Sequence, residues 1–186
     1  MKTYALLLRG INVGGKNKIP MADLRICLVQ LGCSDVITYI QSGNVVVRSD
    51  MDAQQLGPAV ETMISNNFKL DSSLIKVLVL DRAQFQHIVD NKPAGFGEQP
   101  DVYHSDVVFL INIDAGQAMS VFDPREGVDH VWPGNGVIYS QRVSELRTKS
   151  RLGKIIGTSA YRSMTIRNWN TTVKILELMR SHDSIA

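Results

Sequence analysis

The sequence predicts an α+β fold: a ferredoxin-like βαββαβ N-terminal half, a second related α+β half, and mainly antiparallel sheets. Three observations carry that expectation. Short β-branched runs alternate with apolar residues at helical spacing in the order strand, helix, strand, strand, helix, strand over residues 1–80. The turn-rich strings Gln41-Ser42-Gly43-Asn44 and Pro133-Gly134-Asn135-Gly136 each separate two such runs, as hairpin turns do. No apolar run approaches the ~20 residues that span a bilayer, so the helices are expected to lie on sheets, and no membrane partner is expected.

The elements follow in order. Tyr4–Leu8 reads as a buried strand, and Leu24, Cys27, Leu28 and Leu31 form one face of a helix that Gly32 ends. Val36–Ile40 and Val45–Val47 are paired strands. Leu56, Val60, Met63 and Ile64 mark a second helix, with Gly57-Pro58 suggesting an irregular start, and Leu74–Leu80 is the next strand. Asp81 and Gln84 stand at capping-box spacing before Phe85, Ile88 and Val89. Residues 91–105, with Pro93, Gly95, Gly97 and Pro100, read as a loop or linker. A strand at Val107–Ile111, a helix at 114–122, strands at Val128–Trp132 and Val137–Ser140, and a final helix with Trp169 as a core anchor complete the chain. The division expected is 1–80 and 81–186.

Composition bounds the function. Of 186 residues, 44% are hydrophobic and 20% charged, which suits a globular chain with a real core. Residues 1–49 carry net +4, residues 50–129 net −8 and residues 130–186 net +6. Basic ends favour an anionic ligand. Cys27 and Cys33 are too few for a disulfide framework, and they form no metal pattern with His87, His104, His130 and His182. Arg9 cuts the N-terminal apolar run short, so no export signal is read and the cytoplasm is the expected location. The sequence names no cofactor and excludes none.

The polar motifs are more specific. Arg9-Gly10-Ile11-Asn12-Val13-Gly14-Gly15-Lys16-Asn17-Lys18-Ile19-Pro20 joins a strand to a helix. Glycines there let backbone N–H groups approach an anion, and the helix start adds partial positive charge. Gly10-x4-Gly15-Lys16 fits the phosphate-binding G-x-x-x-x-G-K, yet Asn17 replaces the Ser or Thr that would hold magnesium. The alternative is that the glycines only make a tight connection. Near the other end, residues 144–167 hold six basic residues against one acidic, and Arg167-Asn168 is expected at the start of the last helix. There it is either a second anion site or an ordinary N-cap, from Asn168 or Thr165.

Three strings together, residues 8–24, Tyr39-Ile40-Gln41-Ser42-Gly43-Asn44-Val45 and Thr165-Ile166-Arg167-Asn168-Trp169-Asn170-Thr171, closely resemble the uncharacterised bacterial family catalogued as domain of unknown function 1697. The resemblance covers nearly the whole chain and implies small α+β proteins with ferredoxin-like halves. It implies no established activity and no catalytic residue. What it transfers is a set of candidate ligand-binding positions: Arg9, Asn12, Gly14, Gly15, Lys16, Ser42, Gly43, Asn44, Arg167, Asn168 and Asn170. Thr172 departs from the apolar residue expected there.

Three functions compete. The first is binding of a phosphate-bearing or other anionic ligand, with a phosphorylated small molecule ranked above nucleic acid because the central strands offer only Tyr4 as a stacking aromatic. The second is a structural role in which Arg9, Asn12, Asn44 and Asn168 lock loops together. The third, ranked last, is an enzyme acting on a phosphorylated substrate, because the motifs contain no histidine and, Asp23 apart, no carboxylate. The loop after Tyr4–Leu8 and the hairpin at Gln41-Ser42-Gly43-Asn44 are expected at opposite ends of their strands, so a shared pocket would need the C-terminal segment or a second subunit to bridge them.

Overall fold

The computed structural model describes residues 1–71 and 75–183, with backbone alone for 182 and 183. The expected strand start at Leu74 and the His182 side chain lie outside the described residues. Two compact units divide the chain: Met1–Gln86 with Lys174–Ala186, and His87–Val173.

The first unit contains β1 (Lys2–Arg9), α1 (Met21–Gln30), β2 (Ser34–Tyr39), β3 (Asn44–Ser49), α2 (Ala53–Asn67) and β4 (Lys76–Asp81). Its four strands pair antiparallel in the order β2-β3-β1-β4, the ferredoxin-like arrangement. Alternation along β1 and β3 puts Tyr4, Leu6, Leu8, Val45 and Val47 on one face, where they form a single core with Leu24 and Leu28 of α1 and Leu56, Val60 and Ile64 of α2. At the end of α1, the Cys33 N–H reaches the Leu28 carbonyl at 3.0 Å, closing the helix as Gly32 promised.

The expected irregular start of α2 is corrected. The helix begins cleanly at Ala53 behind a reciprocal Asp52/Gln55 capping box and contains Pro58. Gly57 serves packing instead: a Cβ there would stand 3.3 Å from the Val77 carbonyl oxygen of β4. α3 (Arg82–Asp90) follows at once, opened by the Asp81/Gln84 pair, in which the Gln84 N–H donates to Asp81 Oδ1 at 2.8 Å and the Asp81 N–H to Gln84 Oε1 at 3.0 Å.

The second unit repeats the strand order. β5 (Tyr103–Leu110), β6 (Asp129–Pro133), β7 (Val137–Val143) and β8 (Met164–Asn168) form an antiparallel sheet in the order β6-β7-β5-β8, with α4 (Ala115–Met119) between β5 and β6 in the chain. The chain ends on α5 (Trp169–Asp183). Val108, Leu110, Ala118, Ile138, Ile155 and Met164 make its apolar core. Phe96 packs edge-on against Tyr139, Trp132 and Trp169, with centroids 5.3, 6.2 and 5.3 Å away. Trp169 is thereby the core anchor expected of it.

Two differences from the sequence reading matter for the site. Residues 144–163 form three short 3-10 turns, Ser144–Lys149, Leu152–Gly157 and Ala160–Ser163. Met164–Asn168 is a strand, so Arg167 lies within β8 and not at a helix start, and Thr165 caps nothing. Thr172 is fully buried on α5 and tolerated there because its hydroxyl donates to the Asn168 carbonyl at 3.1 Å.

Candidate functional site

The first two motifs meet. Because β1 and β3 are antiparallel neighbours with Leu7 opposite Asn44, the end of β1 lies beside the β2–β3 turn. The expectation that these loops sit at opposite ends was wrong: an antiparallel neighbour begins where its partner ends.

The loop after β1 is a braced structure. Val13 and Lys16 face each other as a small antiparallel bridge, and Gly14 and Gly15 between them take φ values of +59° and +76°. Positive φ at both central residues is the I′ hairpin turn. A Cβ at either glycine would meet nothing within 4 Å, so they serve backbone conformation and leave open space beside them. Asn12, itself at φ +53°, donates from Nδ2 to the carbonyls of Ile19 (3.0 Å) and Gln41 (2.9 Å) and accepts the Ile19 N–H at 2.8 Å. One side chain thus closes the loop and ties it to the hairpin.

Asn17, the residue that broke the P-loop pattern, is buried and does the same work on the other side. Its Nδ2 donates to the Gly10 carbonyl at 2.7 Å, and it exchanges two bonds of 2.7 Å with Asp71. It faces the protein and leaves no magnesium position. Sequence reasoning missed this brace because Asp71 is distant along the chain.

The remaining motif residues divide by burial. Gly43 is packed so closely that a Cβ would fall 2.8 Å from Leu8 Cβ, and its carbonyl takes the Leu8 N–H at 2.8 Å. Asn44 is fully buried, with Nδ2 on the Tyr39 carbonyl (3.1 Å) and Ser42 Oγ (3.0 Å). Arg9 ends β1 opposite Lys76 and is half-buried. Lys16 and Lys18 are exposed.

Beside this loop lies a hollow of about 380 Å³ lined by Asn12, Gly15, Lys18, Ile19, Pro20, Met21 and Gln41. α1 starts at its rim with Pro20 in the N-cap position, so no side chain caps the first turn. Lys18, Ile19, Pro20, Met21 and Gln41 were not among the candidate ligand-binding positions, although all five lie within the strings that carry the family resemblance.

The third motif lies in the second unit. Arg167 is buried on β8, its Nη1 donating to Thr165 Oγ1 and the Ile166 carbonyl, each at 2.8 Å, and burial lowers its pKa to about 10. Asn168 ends the strand, accepting the Asn170 N–H at 2.9 Å on Oδ1. That is the capping role weighed against an anion site. Asn170 is exposed in the first turn of α5. Tyr4, the stacking aromatic considered for RNA, is buried in the first core. Among the described residues no three His, Cys, Asp or Glu side chains gather to hold a metal, and no helix is long and apolar enough to cross a membrane.

The model of the family described as "Protein of unknown function (DUF1697)" matches residues 1–139. A solved structure, the conserved bacterial protein SP0830 from Streptococcus pneumoniae, is similar at 31% identity with a TM-score of 0.79, over 96% of this chain and 98% of its own. No curated protein matches.

Proposed function

Because this chain belongs to the DUF1697 family, whose description names no activity, we propose from its own geometry that it binds a small phosphate-bearing ligand in the hollow at the start of α1. The observation that carries the reading is the open first turn of α1 beside a cationic rim. N–H groups in a first helical turn have no intrahelical acceptor, and Pro20 supplies no side-chain cap. Lys18 lines the hollow and Lys16 stands exposed on the adjoining turn. Asp23, in the same first turn, works against an anion and limits the affinity. The lining contains no histidine, cysteine or carboxylate, so binding fits it better than acid–base catalysis.

A second reading, that the motifs chiefly lock the fold, is favoured by the bonding of Asn12, Asn17 and Asn44. The two readings assign different residues. Asn12, Gly43 and Asn44 hold the loop and hairpin in place, while Gly15 and Lys18 line the hollow and Gly14 and Lys16 stand on the adjoining turn. Thermal shift with pyrophosphate and a nucleoside diphosphate separates them. At a hundred times Kd a ligand adds about 2.7 kcal/mol, which for a chain of this length is about 5–10 °C. The Lys16→Ala/Lys18→Ala double variant is expected to lose that shift while melting like the wild type without ligand. A flat response to both compounds leaves the lock reading alone. A steep salt dependence with single-stranded nucleic acid as the tighter ligand would put nucleic acid first.

A further inference from the structure

We infer that the free edge of the first unit's sheet takes up an extended, acidic and apolar segment of a partner protein, which pairs with β2 as an added strand. β2 is the outermost strand in the order β2-β3-β1-β4, so every second N–H and C=O along it lacks a ladder partner. A hollow of about 430 Å³ opens beside it. α1 contributes Arg25 and Val29, β2 its own Asp35, Val36 and Ile37, β3 Arg48, and α5 Ser181. Val36 belongs to the core under α1, whereas Ile37 and Arg48 stand on the opposite side of the sheet. The hollow therefore reaches both faces of the edge strand.

That shape suits an added strand. Side chains of an extended chain point alternately to the two faces, and each face here offers one arginine with an aliphatic neighbour: Arg25 with Val29, and Arg48 with Ile37. Val29 is 54% exposed on its helix. Ile40, directly after β2, is 51% exposed and sits at φ +49°, a conformation that penalises β-branched residues. A large apolar side chain is thus held in solvent against both hydropathy and backbone cost. At the other end of β2 the register shifts between Ser34 and Ile37, and Asp35 takes φ +49°. This irregularity stops long edge-to-edge pairing and limits the guest to the regular stretch from Ile37 to Tyr39.

Charge chooses the guest. Arg48 Nη1 lies 3.7 Å from Asp35 Oδ2, so these two largely offset each other. Arg25 is exposed and, among the described residues, has no hydrogen-bond or ion-pair partner. Asp23 stands two positions before it and so on another side of α1. The lining is left with one uncompensated positive charge beside aliphatic side chains, which fits a carboxylate side chain next to a β-branched one. A second copy of this chain would bring the same cation and the same irregular strand to the edge, like charge facing like. A foreign acidic segment is the better match.

The test is backbone amide NMR of the intact chain titrated with the blocked peptide acetyl-Val-Glu-Val-Glu-Val-amide. Saturable shifts are expected at Ile37, Thr38 and Tyr39, and acetyl-Val-Lys-Val-Lys-Val-amide should bind about threefold more weakly or worse. The glutamate peptide methylated on its backbone nitrogens keeps charge and aliphatic groups but loses its donors, and should not bind. Arg25→Glu, at an exposed position, should reverse the preference between the two charged peptides. Lys16→Ala/Lys18→Ala should leave it unchanged, which separates this edge from the hollow at the start of α1. No saturable shift at β2 with the glutamate peptide, or equal binding of the lysine or methylated peptide, overturns the proposal. So do shifts of the same amides on diluting the free chain, which would give the edge to a second copy.

Discussion

Asn12→Ala probes the loop brace directly. The substitution removes two donated bonds, to Ile19 and Gln41 carbonyls at 3.0 and 2.9 Å, and one accepted from the Ile19 N–H at 2.8 Å. At a net value of about 1 kcal/mol per bond, and with water recovering part of the loss at this half-buried site, the bonds account for about 2–3 kcal/mol. Asn12 also sits at φ +53°, where alanine adds about 1 kcal/mol of backbone strain and asparagine is better tolerated. The expected total is about 3–4 kcal/mol, or about 6–15 °C in Tm for a chain of this size. Asn12→Gly separates the parts: it loses the same bonds without the strain, and should recover about 1 kcal/mol of the loss. Urea unfolding followed by circular dichroism measures both. An Asn12→Ala protein within about 0.5 kcal/mol of wild type, the scatter of ordinary surface changes, would refute the brace.

Further outcomes follow from the same geometry. Gly43→Ala should cost about 3 kcal/mol, from the 2.8 Å approach to Leu8 Cβ and a φ of +76°, whereas Gly15→Ala, with open space around it, should cost only about 1 kcal/mol; paired melts compare them. Asp129 is expected to shape the acid limb of stability. Burial opposes its ionisation, but the Arg151 N–H, the Ser150 hydroxyl and the Arg125 N–H outweigh that and lower its pKa. A carboxyl lowered in the folded state contributes stability above the ordinary Asp value and loses it as pH falls through the folded one. Asp129→Asn should therefore flatten the stability profile below about pH 4 and leave its shape above pH 6 unchanged, as read by urea midpoints across pH.

The strand and helix periods made most of the first unit legible, since its apolar alternation and hairpin string map directly onto β1–β3 and the helices above them. β8 was not legible. Thr165, Arg167 and the short apolar pair Met164 and Ile166 do not look like a buried strand, because their polar face is itself buried. The meeting of the first two motifs was misread through strand direction alone. The Asn17–Asp71 brace depends on residues brought together by loop closure, which no local period announces. β5 begins at Tyr103, several residues before the apolar run at Val107 that marked it in the sequence.

Backbone amide NMR during a pyrophosphate titration tests the central claim most directly. The account predicts saturable shifts confined to Gly14, Gly15, Lys16 and the first turn of α1 at Met21 and Ala22, abolished by Lys16→Ala/Lys18→Ala. Amides that stay still at those five positions, or that move no more than they do in sodium chloride of equal ionic strength, would contradict it.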